Sequence, residues 1–276
     1  MIKGDPSVTT YFYNAQACAI GGSIVRPVMQ NINAPAVSVL TSVGGYQTST
    51  MENYQLENII SIRRAVTQVS GSKGAGAYNS FASVEIEGLN IENEVTADRI
   101  VAKLSNTVPI GGNEPAFSVG GCLFVNLRVG GVLIEPELAI DLHTRLSTLS
   151  ALEAAWKNTG HGDHALLRSA ARNWYLPQAD IDKEEGAPDS YPIRAAEQTR
   201  NGRIRLSLLK GIRGNIPHLG RNGLTLQVPN FGKIHLCEMF VGKYSRTLTM
   251  LRMQLGSPVE GDESVGHLDL NGLEHP

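Results

Sequence analysis

Short segments in which apolar and polar residues alternate next to glycine constrain the fold of this chain most. The clearest occupy residues 84–91, 124–131 and 223–228. Alternation with a period of two places the apolar side chains on one face of an extended strand, and glycine allows an adjoining turn or bulge. Within the first segment the apolar parity changes at Gly88, which predicts a β-bulge there. The pattern therefore predicts a mainly β protein.

Comparable strand signals continue along most of the chain. They cover residues 11–133, with turns containing Gly or Pro between them, and resume over residues 204–255. A chain of 276 residues, 42% of them hydrophobic and 18% charged, is long enough to bury one large core. We therefore expect a single β domain over residues 1–276, either an antiparallel sandwich or a jelly-roll-like fold, with a two-helix insertion.

The insertion is indicated by a change of period. Apolar residues over 138–156 are spaced by three or four positions, which predicts one amphipathic helix with Pro136 in its first turn. A second helix is expected over about 164–174, with Asp163 as its N-cap. Together the two helices would form an insertion over about 136–175 that packs its apolar stripe on the β domain or on another subunit.

Two further segments differ in composition from the strands. Residues 177–202 are polar, contain three prolines and begin with an acidic stretch, which is typical of an exposed charged loop. Residues 260–276 form an acidic, glycine-containing tail that we expect to be loosely held.

Residue types that bind metals are densest at the predicted start of the second helix. His161 and His164 flank Asp163, and imidazole and carboxylate ligands suit a divalent transition metal. The alternative interpretation is local, because Asp163 would cap the helix and His161 would lie in a loop. We favour the local interpretation.

Arginines are concentrated after the acidic stretch of the charged loop. Between residues 194 and 221 the only acidic residue is Glu197. These arginines could form the solvent face of a strand, contact an acidic surface of this chain or of a second copy, or bind an anionic glycan or lipid surface. The candidate interaction residues are Arg194, Arg200, Arg203, Arg205, Arg213 and Arg221.

Other features of the sequence argue against several classes of function. A net charge of −2 does not favour a dedicated nucleic-acid binder. The dispersed Cys18, Cys122 and Cys237 have neither disulfide nor metal-ligand spacing, and we expect them to be small buried residues. The sequence has no phosphate-binding loop, dinucleotide fingerprint or nucleophile elbow, so no cofactor is expected.

The sequence also lacks the composition of a targeting or membrane-spanning segment. Its first residues have no apolar core of a secretory signal, and no stretch approaches the ~20 apolar residues of a membrane helix. We therefore expect a soluble protein that stays in the cytoplasm or is exported by a route without a signal.

Three segments of the β region look similar to a known group of proteins. Residues 83–91, 95–100 and 124–130 resemble phrases of bacterial surface-type β proteins of the choice-of-anchor kind. The resemblance covers about residues 84–133 and implies an all-β fold in an exported bacterial protein. It implies no catalytic residues.

Three hypotheses about function follow from these observations. The leading one is a non-enzymatic structural or interaction protein that self-associates into a homo-oligomer, because strands are abundant and charge blocks of opposite sign are present. The second is a binding or membrane-active protein, including a pore-forming one, that recognises a glycan or lipid surface. The third is an enzyme with a metal-assisted site near His161 and His164.

Overall fold

The alternating segments fold into long antiparallel strands, and the strands form a sandwich with a small helical insertion, as predicted. The computed structural model describes residues 10–27, 29–112, 114–157, 167, 204–214, 220–222, 225–256 and 258–275. The elements before the insertion are β1 (Thr10–Arg26), β2 (Gln30–Ile32), β3 (Val37–Val39), β4 (Gly45–Leu56), β5 (Ile60–Lys73), β6 (Ala77–Ile91), β7 (Val95–Pro109), β8 (Ala116–Ser118), β9 (Leu123–Val125), β10 (Arg128–Val129), β11 (Val132–Leu133) and β12 (Glu135–Leu138). The later elements are α1 (Ile140–Arg145), α2 (Leu149–Lys157), β13 (Ile204–Ser207), β14 (Leu209–Arg213), β15 (Gly220–Asn222), β16 (Thr225–Val228), β17 (Gly232–Val241), β18 (Ser245–Leu255) and β19 (Glu260–His275).

These strands form two large sheets, which we call sheet A and sheet B. Sheet A follows the order β15-β16-β17-β18-β19-β1-β2, with β13 beside β17 and β3 beside β1. Sheet B follows the order β11-β10-β7-β6-β5-β4, with β8 and β9 beside β7. The strands β12 and β14 form a separate small pair next to the helices.

The core lies between the two sheets, where β1 and β19 pack on β5, β6 and β7. On β1 the inward positions Ala15 and Ala17 are fully buried, and their small side chains allow the sheets to approach closely. Tyr11 stacks on Tyr78 of β6 with ring centroids 4.3 Å apart, and Tyr13 meets the Tyr11 ring edge-on at 4.8 Å. The aromatic cluster therefore joins the beginning of β1 to the beginning of β6.

The parity change predicted at Gly88 is present, but it is not a bulge of a single strand. Gly88 has a φ of +62°, and each neighbouring strand also carries one extra residue at the same level. We call this row the sheet B crease; it consists of Asn53, Arg63, Gly88 and Asp98. Because all four strands shift together, the pairing register is the same on both sides of the row.

Sheet A contains an equivalent row, the sheet A crease. It consists of Ala19, Gly266, Met250 and Cys237. Gly266 and Cys237 have positive φ values of +66° and +55°. The strands again keep one register across the row, so that apolar residues on both sides of the crease point into the core.

The expectation of a loosely held acidic tail was wrong. Residues 260–275 form β19, which pairs with β18 on one edge and with β1 on the other. Val265 and Leu268 are fully buried, whereas Asp262 and Asp269 lie on the opposite face of the strand. The acidic residues therefore belong to the outer face of a central strand.

The single helix predicted over residues 138–156 was also wrong, because the chain forms two short helices there. Pro136 lies in β12 rather than in a first helical turn. The chain leaves the helix after α1, and the amide of Ala151 then donates a hydrogen bond to Thr148 Oγ1 at 3.1 Å. This side-chain cap starts α2 and interrupts the leucine pattern.

Of the second predicted helix, over residues 164–174, the structure describes Leu167, which is buried. The other residues of that helix and the charged loop over residues 177–202 lie outside the described residues. Within the described part of the chain, no helix is both long and apolar enough to cross a membrane.

The alternation rule does not predict β4. Most of its side chains are exposed on both faces of the strand, and Met51 and Leu56 are its buried residues. Because β4 lies at the edge of sheet B with little covering it, no apolar face is needed and no alternation develops.

A Gly88→Ala variant tests the crease. We expect it to lower the free energy of unfolding by about 1–2 kcal/mol, because a left-handed conformation disfavours a side chain. The added Cβ would also lie 2.9 Å from Cβ of Arg63. Gly76→Ala is the control, since a Cβ there meets nothing within 4 Å. Equal stability of the two variants in urea denaturation would contradict the conformation assigned to Gly88.

Candidate interaction surface

Two of the predicted interaction arginines are paired within the chain. Arg205 of β13 forms an ion pair with Glu238 of β17, and Arg213 of β14 forms one with Glu137 of β12. Their positive charges are therefore matched by carboxylates of neighbouring strands.

Of the other predicted site residues, the structure describes one. Arg221 lies in β15, whereas Arg194, Arg200, Arg203, His161 and His164 lie outside the described residues. Among the described residues, no group of three or more His, Cys, Asp and Glu side chains is arranged to hold a metal ion.

Glu238 is the centre of a buried charge network on the outer face of sheet A. Its side chain is 2% exposed, and its second oxygen accepts a hydrogen bond from Nε of Arg252 at 2.7 Å. Arg205 also lies over the ring of Phe240, with 5.5 Å from the guanidinium carbon to the ring centroid. Removing one partner of a buried ion pair lowers the free energy of unfolding by roughly 3–5 kcal/mol. We therefore expect the pairing of β13, β17 and β18 to depend on all three charged residues.

Two histidines border this network and are neutral at physiological pH. Burial, reinforced by the charge of Arg252, lowers the pKa of His235 to about 4. Burial also lowers the pKa of His267, whose Nδ1 lies 2.9 Å from Oγ1 of Thr249. Nδ1 of His235 likewise lies 3.2 Å from Oγ1 of Thr225, so both rings are held by hydrogen bonds within sheet A, which is a structural role.

The three cysteines are free and buried, as predicted. Burial raises the pKa of Cys18, raises that of Cys122 to about 11, and raises that of Cys237 well above its ordinary value. A reactive cysteine needs a lowered pKa and access to solvent. None of the three has the environment of a nucleophile.

A cleft of about 560 Å³ opens beside the turn between β16 and β17. It is lined by residues 227–233 and Gly256, and Lys233 is the charged residue of this lining. Among the described residues, this lining contains no carboxylate, histidine or thiol that could act as a general acid, a general base or a nucleophile.

Arg246 ties the helical insertion to sheet A. Its guanidinium donates hydrogen bonds to the carbonyl oxygens of Gly242, at 3.0 Å, and Ser147, at 3.4 Å, and lies over the ring of Phe117. Burial lowers the pKa of Arg246 to about 9, and burial together with this cation lowers the pKa of His143 to about 4. The pair belongs to the contact between α1 and the sheet.

The ends of the two sheets differ strongly in how they are protected. In the described residues, β15, β2 and β11 end their sheets and contain three, three and two residues. Very short edge strands limit unwanted strand pairing. The remaining end is β4, which is twelve residues long and pairs on one side with β5. The second edge of β4 is therefore a long, unpaired strand edge within the described structure.

The composition of β4 offers little protection against pairing. The strand contains no Pro, Lys or Arg, and its one charged residue is Glu52. Proteins usually protect exposed edges with lysine, proline or a bulge. Here the bulge-like feature is Asn53 at the crease, with a φ of +52°, so residues 46–52 remain a regular strand between Asn53 and Gly45.

Exposed apolar residues lie next to this edge. Val39 on β3 is 54% exposed, Val43 in the β3–β4 turn is 85% exposed, and Tyr46 on β4 is 57% exposed. The strand β3 is held beside sheet B because Ser38 Oγ lies 2.8 Å from Oγ1 of Thr67. We call β4 together with these apolar residues the β4 edge surface; it combines unpaired backbone groups with exposed apolar area.

A row of charged residues crosses the outer face of sheet B and ends on β4. In one cross-strand row Glu52, Arg64, Glu87 and Arg99 alternate in sign. Arg64 Nη1 lies 3.7 Å from Glu87 Oε1, and its Nε lies 4.0 Å from Glu52 Oε1. The one charge on β4 is thus already balanced within the chain.

Sequence reasoning placed the candidate site in the arginine segment and missed the β4 edge surface. One signal in the sequence was usable: residues 46–52 combine residues with strand propensity with a single charge and no proline. Such a composition is typical of segments that add strands to one another.

The described residues form an antiparallel β-sandwich with one long open edge among them. Residues 11–242 match the model of a family described as a domain of unknown function, DUF8256. The match covers most of the chain, so the protein belongs to this family. No curated protein and no solved structure was found to be similar to it.

A buried carboxyl in the sandwich gives a pH-dependent test of the fold. Glu263 on β19 is 1% exposed, and neither carboxyl oxygen has a hydrogen-bond partner among the described residues. Burial, assisted by the negative charges of Glu92 and Asp262, raises its pKa to about 8. Between pH 4.5 and 8 the folded state therefore binds more protons than the unfolded state, and stability falls as the pH rises.

We expect Glu263→Gln to remove this loss of stability. We expect the free energy of unfolding of the variant, relative to that of the wild type, to increase between about pH 5 and about pH 8.5. Urea unfolding at each pH measures it. The exposed Glu135→Gln serves as the control. A difference for Glu263→Gln that does not change with pH would contradict the buried, protonated carboxyl.

Proposed function

We propose that this protein is a non-enzymatic interaction protein that self-associates, and that β4 is the strand through which it does so. The observation that supports the proposal is the twelve-residue open edge of β4, beside sheet ends of two or three residues in the described structure. Unpaired backbone N–H and C=O groups on such an edge are a template for another strand.

Backbone pairing and apolar contact would act together at this edge. Each backbone hydrogen bond formed in water contributes only about 0.5–1.5 kcal/mol net. Association also costs several kcal/mol in lost translational and rotational freedom, so burial of apolar side chains has to contribute. Tyr46 on β4 and Val43 in the turn before it supply exposed apolar side chains at the start of this strand.

The alternative functions gain less support from the described residues. An anionic glycan or lipid surface would need available cations, but Arg205 and Arg213 already pair with carboxylates. A metal-assisted enzyme would depend on His161 and His164, which lie outside the described residues. Self-association is therefore the function that the geometry favours.

Native mass measured from nanomolar to high micromolar protein concentration tests the proposal. We expect the wild type to form oligomers and Thr50→Lys to weaken them at least about tenfold, because lysine on an exposed edge opposes strand pairing. Thr50 is exposed on β4, so the substitution leaves the core unchanged.

The matched control is Gln227→Lys, an exposed position on β16, which is paired on both sides. It should associate like the wild type. A wild type that stays monomeric at every concentration, or Thr50→Lys that associates as well as Gln227→Lys, would overturn the proposal.

A further inference from the structure

We infer that the partner of β4 is β4 of a second copy of this chain, and that the two strands pair antiparallel about a two-fold axis at Ser49. The inference rests on the proposed self-association and specifies its geometry. It would join sheet B of both copies into one continuous sheet.

The position of the axis follows from the backbone of β4. The regular part of the strand runs over residues 46–52, because Gly45 has a φ of +108° and Asn53 a φ of +52°. We choose the antiparallel arrangement because it is slightly more stable per residue than the parallel one. Two antiparallel copies pair along their whole regular length only when they are centred on its midpoint. That midpoint is Ser49.

The side chains of β4 fit this register. Centring on Ser49 places Thr48 opposite Thr50 of the second copy, and Thr–Thr pairs across strands are favourable. It also places Glu52 opposite Tyr46 of the second copy, so the two Glu52 carboxylates are kept apart. Like charges directly opposite one another destabilise a strand pair.

The occupant is a second copy rather than an unrelated strand because the edge is self-complementary. The regular segment has polar, uncharged side chains around its centre, with Glu52 at one end and Tyr46 at the other. A two-fold axis brings each end onto the opposite end of the second copy. At each end the exposed ring of Tyr46 then lies beside the strand of the second copy, where part of its apolar area can be buried.

Mixed disulfide formation between single-cysteine variants tests this register. Directly opposite residues of antiparallel strands have Cβ atoms about 4.5–5.5 Å apart, whereas diagonal neighbours are about 7–8 Å apart. A disulfide needs Cβ atoms about 3.5–4.5 Å apart, so small adjustments allow only the opposite pair to react. The three native cysteines are buried with raised pKa values and do not compete.

We expect a mixture of Thr48→Cys and Thr50→Cys to give a disulfide-linked dimer under mild oxidation, while each variant alone gives several-fold less. Gln55→Cys is the control, because Gln55 is exposed on β4 but lies beyond the crease. Mixed with either variant, it should give no linked dimer.

The outcomes separate this inference from the proposed function. Native oligomers that form without the Thr48–Thr50 link, or that link equally through Gln55, would overturn the register and leave self-association standing. A protein that remains monomeric would overturn both.

Discussion

Side-chain parity in both sheets depends on the two creases, where each long strand carries one residue that pairs with no neighbour. An extra residue in a single strand would turn the apolar side chains beyond it towards solvent, relative to the adjacent strands. Here the strands shift together, so the inward faces stay mostly apolar on both sides of each crease. Gly88 and Gly266 make this arrangement possible, because both adopt a left-handed backbone conformation.

The sheet B crease also sets the length of β4 that is open to a partner strand. Asn53 ends the regular part of β4 at the level where the inner strands shift, so the segment open to a partner is fixed by the core. The proposed association surface is therefore part of the fold rather than an addition to it. Sheet A ends at two short strands on this side, which leaves β4 uncovered by a partner strand among the described elements.

Much of the fold could be predicted from sequence because burial enforces alternation. The strands β6 and β7 have a covered inner face, and the position of Gly88 marked the crease. The strand β4 could not be recognised in this way, since Met51 and Leu56 are its only buried side chains and no alternation develops. The acidic composition of β19 suggested a tail rather than a central strand. Asp262 and Asp269 lie on its outer face, while the residues of the inner face still alternate with them. The pairing of Arg205 with Glu238 depends on strands that are distant in sequence, which no local pattern reveals.

Amide hydrogen exchange at low and high protein concentration tests most directly whether β4 is the strand of association. Association through β4 should slow exchange with increasing concentration at residues 46–52, at the amides that face the open edge. Exchange on β16, which is paired on both sides, should not change. Slower exchange elsewhere in the protein, with the amides of residues 46–52 unaffected while oligomers form, would show that the chain does not associate through β4.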